Sequence, residues 1–179
     1  MGEKPAIILP YQLARMLKMI TEINVFDCDG VLLDSTHRYR TTVRDDGMQV
    51  IDLQYWIDNE YRAYDDEALP TALNEYKASL ANPNAYTIIA TAAVVCDNRI
   101  KCLRDKVGLP DYIIGRNTRN DTRGGAELKI AGLKKLFQLK QFATAKFNMT
   151  MYEDNLSYLT KICKAMNCRG VYIPSNQGH

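Results

Sequence analysis

Short apolar runs alternate with amphipathic segments along most of this 179-residue chain. Five of the runs have the length and the apolar content of buried strands. They cover residues 23–29, 87–92, 112–115, 147–154 and 170–174. Between the runs, apolar residues recur at the three- and four-residue spacing of one helix face. This alternation of strand and helix predicts an α/β fold, in which a parallel sheet carries helices on both faces.

Start and stop signals bound the predicted helices. Pro10 opens the first helix, and the second covers residues 70–81, ending at an Asn-Pro-Asn turn. Asp97 is the expected N-cap of the third helix, and Gly108 ends it. The apolar faces of the first, third, fourth and fifth helices are Leu13, Leu17 and Ile20; Ile100, Leu103 and Val107; Ile130, Leu133, Leu136 and Phe137; and Leu156, Leu159, Ile162 and Met166.

Residues 23–35 read INVFDCDGVLLDS and carry the strongest chemical signal in the chain. Side chains alternate along a strand, so Asp27 and Asp29 start on one face, and the turn at Gly30 lets them surround one phosphate. One carboxylate can attack phosphorus while the other gives and takes the leaving-group proton. Two carboxylates beside a dianion require a divalent cation with oxygen ligands. A solvated Asp-x-Asp turn is the alternative, which the apolar residues on both sides disfavour.

The segment DCDGV resembles the first motif of the haloacid-dehalogenase-like (HAD) phosphohydrolase superfamily, Asp-x-Asp-Gly-Thr/Val. The resemblance implies a three-layer Rossmann-like fold whose five-stranded parallel sheet has the order 5-4-1-2-3. It also implies that Asp27 is the nucleophile and Asp29 the general acid/base. Mg²⁺ would then bridge the Asp27 carboxylate, the backbone carbonyl of Asp29 and a downstream acid.

The superfamily has two further phosphate-binding motifs, and both have candidates here. A Ser or Thr at the end of the second sheet strand binds the phosphoryl oxygen, and Thr91 occupies that place. A lysine ahead of the fourth sheet strand stabilises the negative charge of the transition state. Lys129 is the expected residue, in the first turns of a helix whose N-terminal dipole also favours anions, with Lys134 and Lys135 as alternatives.

An acidic pair at the end of the fourth sheet strand completes the motif set. Glu153 and Asp154 stand at the carboxyl edge toward which Asp27 and Asp29 also point. Asp154 is the expected direct ligand of Mg²⁺, and Glu153 is expected to act from behind the direct ligands or through a water molecule. The alternative is that Asp154 or Asn155 merely caps the next helix.

Ten residues resemble a narrower group, the 3'-phosphatase domain of the phage polynucleotide kinase type. In NDTRGGAELK, the run from Asp121 to Arg123 precedes the motif lysine at the spacing of that group. Two positions depart from its pattern. The group has Gly-Arg after its second motif, where this chain has Ala92 and Ala93, and an acidic residue where this chain has Gly125.

Residues 35–67 are expected to form a short flap or cap insert in a single domain spanning residues 1–179, whose core covers about 10–34 and 68–174. A short cap leaves the site open to large substrates such as strand ends. Arg38 is a candidate phosphate clamp. The insert is rich in aromatic residues that could stack on a base or, alternatively, form the core of a small helical hairpin: Tyr39, Tyr55, Trp56, Tyr61 and Tyr64.

Charge is unevenly distributed although the net charge is only +2. Residues 34–67 hold four basic and nine acidic side chains, and residues 97–146 hold twelve basic and five acidic ones. The basic half favours a phosphorylated or nucleic-acid substrate, with Arg119 and Arg123 as candidate contacts, unless these side chains form only solvated helix faces.

The five cysteines form no close zinc-type pairs, and their odd number argues against a disulfide framework. The sequence shows no signal segment and no apolar run of the roughly 18 residues that a membrane span requires. These features predict a soluble, cytoplasmic protein without a membrane partner.

The sequence therefore predicts an Mg²⁺-dependent phosphomonoesterase acting on a nucleotide or on the 3'-phosphate end of a nucleic acid. A small-metabolite phosphatase or 5'-nucleotidase would use the same residues. An inactive HAD-like binding module is the alternative from another class of protein. The four charged motif residues argue against it, because an inactive site has no reason to keep charges that repel one another or need compensation.

Overall fold

The computed structural model describes residues 20–143 and 146–175. The strands are β1 (Glu22–Phe26), β2 (Leu33–Asp34), β3 (Thr41–Val43), β4 (Gln49–Ile51), β5 (Glu67–Ala68), β6 (Ala85–Val94), β7 (Tyr112–Arg116), β8 (Asn148–Glu153) and β9 (Arg169–Tyr172). The α-helices are α1 (Leu53–Asp58), α2 (Leu73–Ala81), α3 (Asp97–Cys102), α4 (Gly125–Phe137), α5 (Lys140–Ala143) and α6 (Leu156–Met166). Thr36–Arg38 and Glu60–Asp65 are 3₁₀ turns, and a π-helical turn at Leu103–Val107 extends α3.

Five parallel strands form the central sheet in the order β7-β6-β1-β8-β9. When these five strands are numbered 1 to 5 along the chain, their order starting from β9 is 5-4-1-2-3, as predicted. The central strand β1 pairs with β6 on one side and β8 on the other, so that Val25 lies between Ile88 and Met151. The carboxyl ends of β1, β6 and β8 therefore meet at one edge of the sheet.

Alternate residues of each strand feed two separate cores, which makes the fold three-layered. Val25 and Ile88 face a cluster that includes Leu133 of α4 and Ile162 of α6. Their strand neighbours face the opposite cluster, which is built from Phe26, Ile89, Tyr76 of α2 and Leu103 after α3. The predicted α/β class with helices on both faces of a parallel sheet is confirmed.

Several predicted boundaries change. The helix predicted to open at Pro10 lies outside the described residues, apart from Ile20. The first strand ends at Phe26 instead of residue 29, because the backbone N–H groups of Leu32 and Leu33 both donate to the Cys28 carbonyl at 2.9 Å and turn the chain. Cys96 and not Asp97 is the N-cap of α3; Asp97 is its first residue.

Residues 35–67, the predicted insert, are built differently from a helical hairpin. At its base, β2 and β5 pair antiparallel, and β3 and β4 form a β-hairpin ahead of α1. Its aromatic residues divide between two environments. Trp56 is buried and its ring centroid lies 5.6 Å from that of Tyr39, whereas Tyr61 is 65% exposed.

The longest described helix, α4, has 13 residues. Within the described part of the chain, no helix combines the length and the apolar character that a membrane span requires.

Candidate active site

Three carboxylates converge where β1 and β8 end. Asp27 follows β1, its backbone N–H donates to the Tyr152 carbonyl at 2.9 Å, and Glu153 and Asp154 close the neighbouring strand. One oxygen from each of Asp27, Glu153 and Asp154 lies within 4.8 Å of the others, and all three side chains are buried. Because parallel strands deliver their carboxyl ends to one edge, residues far apart in sequence form one acidic cluster.

Lys129 supplies a positive charge to this cluster. Its Nζ lies 2.6 Å from Glu153 Oε2 and 2.9 Å from Asp27 Oδ2. Lys129 is buried in the second turn of α4, whereas its two alternatives, Lys134 and Lys135, are exposed on the same helix. The sequence choice of Lys129 therefore coincides with the lysine that contacts Asp27.

The cluster keeps an excess of negative charge. Burial raises the pKa of the Asp27 carboxyl well above its ordinary value, and neighbouring Glu153 raises it further against the opposing effect of Lys129. Burial would lower the pKa of Lys129, but Asp27 and Glu153 together raise it above its ordinary value. The Lys129 ammonium therefore stays protonated, whereas the surroundings of Asp27 disfavour the ionised form of its carboxyl.

Gly30 allows Asp154 to join the cluster. Its φ is +80°, and a Cβ at this position would lie 2.1 Å from Asp154 Oδ2. The same Asp154 oxygen accepts a hydrogen bond from Ser175 Oγ at 2.5 Å. Asn155, not Asp154, caps α6 by accepting the Tyr158 N–H at 3.0 Å. The Asp154 carboxylate is thus not used as the helix cap.

Asp29 lies in a different environment from Asp27, held between cations. Arg38 Nη2 donates to its Oδ1 at 2.8 Å, and Arg99 Nη1 donates to both of its oxygens at 3.1 and 3.2 Å. Burial raises the pKa of the Asp29 carboxyl, but Arg99 and then Arg38 outweigh this effect and lower it to about 2. Two aspartates two residues apart therefore have pKa values shifted in opposite directions.

The insert supplies the acidic partners of these arginines. Arg38 donates to both oxygens of Asp66 at 2.7 and 2.8 Å and to Glu60 at 3.0 Å, and it lies over the Trp56 ring at 4.7 Å. Arg99 Nη2 donates to Glu60 at 3.1 and 3.2 Å. Arg38, predicted as a phosphate clamp, is fully buried, and its guanidinium is bonded to three carboxylates. In this arrangement it contacts Asp29 and is not presented to solvent.

Thr91 joins the site at an irregularity in β6. Regular pairing with β7 ends at Ala90 and shifts in register before Val94. The Thr91 hydroxyl donates to Asp29 Oδ2 at 3.2 Å and accepts the Ala93 N–H at 3.0 Å. The predicted phosphate-binding hydroxyl is therefore next to Asp29, although β6 itself runs two residues further than predicted.

The two remaining predicted substrate contacts lie on the loop before α4. Arg123 pairs with Asp121, whose pKa it lowers to about 2. Arg119 is exposed and lines an open cleft of about 410 Å³. The other lining residues come from the insert, the end of β6 and the start of α3: Glu60, Tyr61, Val94, Cys96, Asp97 and Asn98.

The structure shows the surroundings of the two positions at which the chain departs from the polynucleotide-phosphatase pattern. A Cβ at Gly125 would lie 2.5 Å from the Tyr158 ring and 3.1 Å from the Ala92 side chain, so packing leaves no room for an acidic residue there. Arg116 donates to the carbonyls of Ala92, Asp121 and Arg123 and thereby fixes the loop.

Sequence reasoning missed Arg99, Glu60 and Asp66. The signal for Arg99 was present, because it stands three and four positions before buried Cys102 and Leu103, on the buried stripe of its helix. The predicted face started at Ile100, one residue too late. Glu60 and Asp66 lie in an acidic, irregular stretch in which no periodicity separates them from exposed neighbours.

The fold recurs in solved structures at low sequence identity. A chain of the Pnkp1/Rnl/Hen1 RNA repair complex matches with a TM-score of 0.57 and 12% identity over 87% of this chain. The chain spans less than half of that protein, because the match covers 43% of its length. The HAD domain of the effector protein Lem4 from Legionella pneumophila matches with a TM-score of 0.52 and 12% identity over 89% of this chain and 90% of that one. Neither a protein-family model nor a curated protein matches the sequence. The predicted HAD-like fold is therefore confirmed.

Proposed function

We propose that this chain is an Mg²⁺-dependent phosphomonoesterase that works through an aspartyl-phosphate on Asp27, with a nucleic-acid 3'-phosphate end as its substrate. One observation carries the proposal. Asp27 is buried between Lys129 and the acidic pair, while Asp29, two residues on, is ionised and is linked through Arg99 to Glu60, which lines an open cleft. The two carboxylates have different partners, as separate roles require, and Mg²⁺ beside Asp27 would lower its raised pKa, so that Asp27 attacks as the carboxylate.

The proposed reaction has two half-reactions. In the first, an Asp27 oxygen attacks phosphorus, the bond to the leaving oxygen breaks, and Asp29 passes a proton to the departing alkoxide. In the second, Asp29 takes a proton from water, the water oxygen attacks phosphorus, and the bond to Asp27 breaks to release inorganic phosphate. Thr91 and Lys129 hold the phosphoryl oxygens throughout.

Asp29 needs a source for the proton that it delivers. Because Arg99 and Arg38 hold its pKa at about 2, Asp29 is ionised in the resting site. The proton therefore arrives with the substrate, since the second pKa of a phosphomonoester is about 6. When a phosphoryl oxygen accepts the Thr91 hydrogen bond, Asp29 Oδ2 is released from Thr91 to take this proton and transfer it.

The acidic cluster fits Mg²⁺. Lys129 pairs with two of the three buried carboxylates, the oxygens of all three lie within 4.8 Å of one another, and Mg²⁺ prefers oxygen ligands. Asp27 and Asp154 would hold the ion together with the backbone carbonyl of Asp29, and Glu153 would act through water. Bound there, Mg²⁺ would neutralise charge on the phosphoryl oxygens.

The cleft supports a strand-end substrate. Exposed Tyr61 provides a face on which a base can stack, and Asn98 Nδ2 fixes its backbone carbonyl at 2.6 Å. Arg119 from the facing loop provides a cation for a neighbouring phosphate. The similarity in fold to a chain of an RNA repair complex supports the same substrate class.

A small phosphorylated metabolite or 5'-nucleotide is the second candidate, and a specific observation favours it. Arg116 and Arg123 are already engaged by their own loop, so Arg119 is the arginine of this loop that stands at the cleft without such a contact among the described residues. A single cation suits a short substrate better than an extended strand.

The first experiment tests the chemistry. Phosphate release from a panel of 3'-phosphorylated oligonucleotides, 5'-nucleotides and sugar phosphates should require Mg²⁺ and stop in excess EDTA. Asp27→Asn should lose several orders of magnitude in turnover, on the order of losses seen when a covalent nucleophile is removed. The exposed Asp65→Asn serves as the matched control and should behave like wild type. An Asp27→Asn protein that keeps a tenth of the activity would refute the aspartyl-phosphate mechanism.

The second experiment chooses between the substrates. For a strand end, Arg119→Ala plus Arg123→Ala should raise KM for an oligonucleotide more than for a mononucleotide. Binding of the oligonucleotide should weaken with salt at a log-log slope of about −0.7 per contacted phosphate, and the double variant should flatten that slope. Equal effects on both substrates would favour the small-molecule candidate.

A further inference from the structure

Arg99 is a fully buried arginine that joins three parts of the molecule. The residue lies on α3. Its guanidinium contacts both oxygens of Asp29 through Nη1 and both oxygens of Glu60 in the insert through Nη2, all at 3.1 or 3.2 Å. Nη1 also lies 3.3 Å from Cys28 Sγ. One rigid planar group therefore fixes the Asp29 carboxylate relative to a helix and to the insert.

Stability alone is a poor explanation for this arginine. Replacing buried ion pairs with apolar side chains of similar volume is often neutral or stabilising. Arg99 also has an unfavourable feature, because its Nε has no hydrogen-bond partner among the described residues. Arg99 precedes buried Cys102 by three positions on the buried side of α3, where an apolar side chain is ordinarily found.

We propose that Arg99 is a positioning residue that holds the Asp29 carboxylate in the orientation required for proton transfer. This role rests on the proposed phosphatase function and goes beyond it, since no motif of the sequence includes Arg99. It acts through Asp29 and does not touch the reacting atoms.

The contacts explain why Arg38 cannot replace it. Arg38 reaches Oδ1 of Asp29, whereas Arg99 is the arginine that also contacts Oδ2. Thr91 holds Oδ2 in the resting site and would turn to the substrate's phosphoryl oxygen. From that moment Arg99 limits rotation of the carboxylate about its last side-chain bond, which decides whether Oδ2 faces the leaving oxygen.

A double-mutant cycle on turnover tests this role. The four proteins are wild type, Arg99→Met, Asp29→Asn and the double variant. The probe is dinitrophenyl phosphate, whose leaving group needs little protonation, so the Asp29→Asn enzymes stay measurable and turnover reports the second half-reaction, in which Asp29 takes a proton from water. Arg99→Met should lower kcat about 10- to 100-fold in the wild-type background, the size of effect that a small misplacement of a catalytic group produces. In the Asp29→Asn background it should change kcat less than about twofold, because effects that act through one group are not additive.

Folding is controlled in two ways. Arg104→Met, at an exposed position one turn further on, should leave turnover unchanged. If Arg99→Met does not fold, the same cycle is measured on Glu60→Gln proteins, in which removal of Arg99 restores the wild-type balance between buried arginines and carboxylates.

Each outcome decides the matter. A loss confined to proteins that keep Asp29 supports the positioning role. An equal loss in both backgrounds, or no loss in either, overturns it and leaves the phosphatase function intact. If wild type shows no Asp27-dependent hydrolysis of any phosphomonoester, the proposed function fails and this role fails with it.

Discussion

Lys129→Met should leave the negative charge of the acidic cluster without its neutralising cation. In the wild-type protein the Lys129 ammonium lies 2.9 Å from Asp27 and 2.6 Å from Glu153, and all three side chains are buried. Methionine keeps most of the volume of the lysine stem but removes its charge. Breaking a buried pair by removing one partner costs about 3 to 5 kcal/mol, because the remaining charge is left uncompensated. We therefore expect a loss of that size in the free energy of unfolding, measured by urea denaturation in EDTA.

The loss should grow with pH. Burial and Glu153 already raise the pKa of Asp27, and removing Lys129 raises it further. The folded state of Lys129→Met then holds a proton on Asp27 that the unfolded state releases above about pH 4, so stability falls as pH rises toward the folded pKa. The deficit relative to wild type should be smaller at pH 5 than at pH 8.

Mg²⁺ should restore part of this stability. A ligand that binds only the folded state stabilises it in proportion to the logarithm of its concentration over its Kd, and loss of the ammonium makes the cluster more attractive to a cation. The stabilisation by Mg²⁺ should therefore be larger in Lys129→Met than in wild type. Lys134→Met, on the exposed face of the same helix, should stay within about 0.5 kcal/mol of wild type. A Lys129→Met protein within about 1 kcal/mol of wild type at pH 8 in EDTA would refute the argument, since it falls well below the expected cost.

Three further predictions concern the same site. Asp154→Ala should raise the Mg²⁺ concentration for half-maximal phosphatase activity more than Glu153→Ala does; the reverse order in a Mg²⁺ titration would contradict the proposed ligand roles. Gly30→Ala should destabilise the fold by about 1 to 3 kcal/mol and weaken Mg²⁺ binding, because its Cβ would lie 2.1 Å from Asp154 Oδ2; unchanged denaturation and Mg²⁺ titration curves would show that the cluster adapts freely. Finally, kcat/KM should fall as pH rises above about 6, because the substrate's phosphate then loses the proton that ionised Asp29 is to transfer; a flat pH profile up to pH 8 would point to another proton source.

The sheet was predictable because its signals are local. Runs such as residues 87–92 are interrupted only by two threonines, and the turn signals between the runs separate one element from the next. The insert was not, since strands of two or three residues such as β2 and β3 are too short to show a period. They exist because Leu33 pairs with Ala68 across more than thirty residues, and no local pattern encodes such a pairing.

The residues of the candidate site also differ in whether their sequence signals are local. Asp27, Asp29 and Asp154 could be located because each stands directly after an apolar run, at the edge where parallel strands end. Glu60 could not, because it owes its place in the site to Arg38 and Arg99, which lie in other elements. A residue whose partner lies in a different element carries no mark in its own neighbourhood, and a charged residue there is read as exposed by default.

The way in which the insert is joined to the core limits how the two can be exchanged. Its side chains Arg38, Glu60 and Asp66 form one buried ionic cluster with Asp29 and Arg99 of the core. A chimera that received residues 35–67 from another protein would leave the buried Arg99 guanidinium and Asp29 without their partners. Recombination could bring in a new insert only together with matching charges on both sides of the junction. Substrate range in such a protein would therefore change more readily by point substitution at the cleft than by replacement of the whole insert.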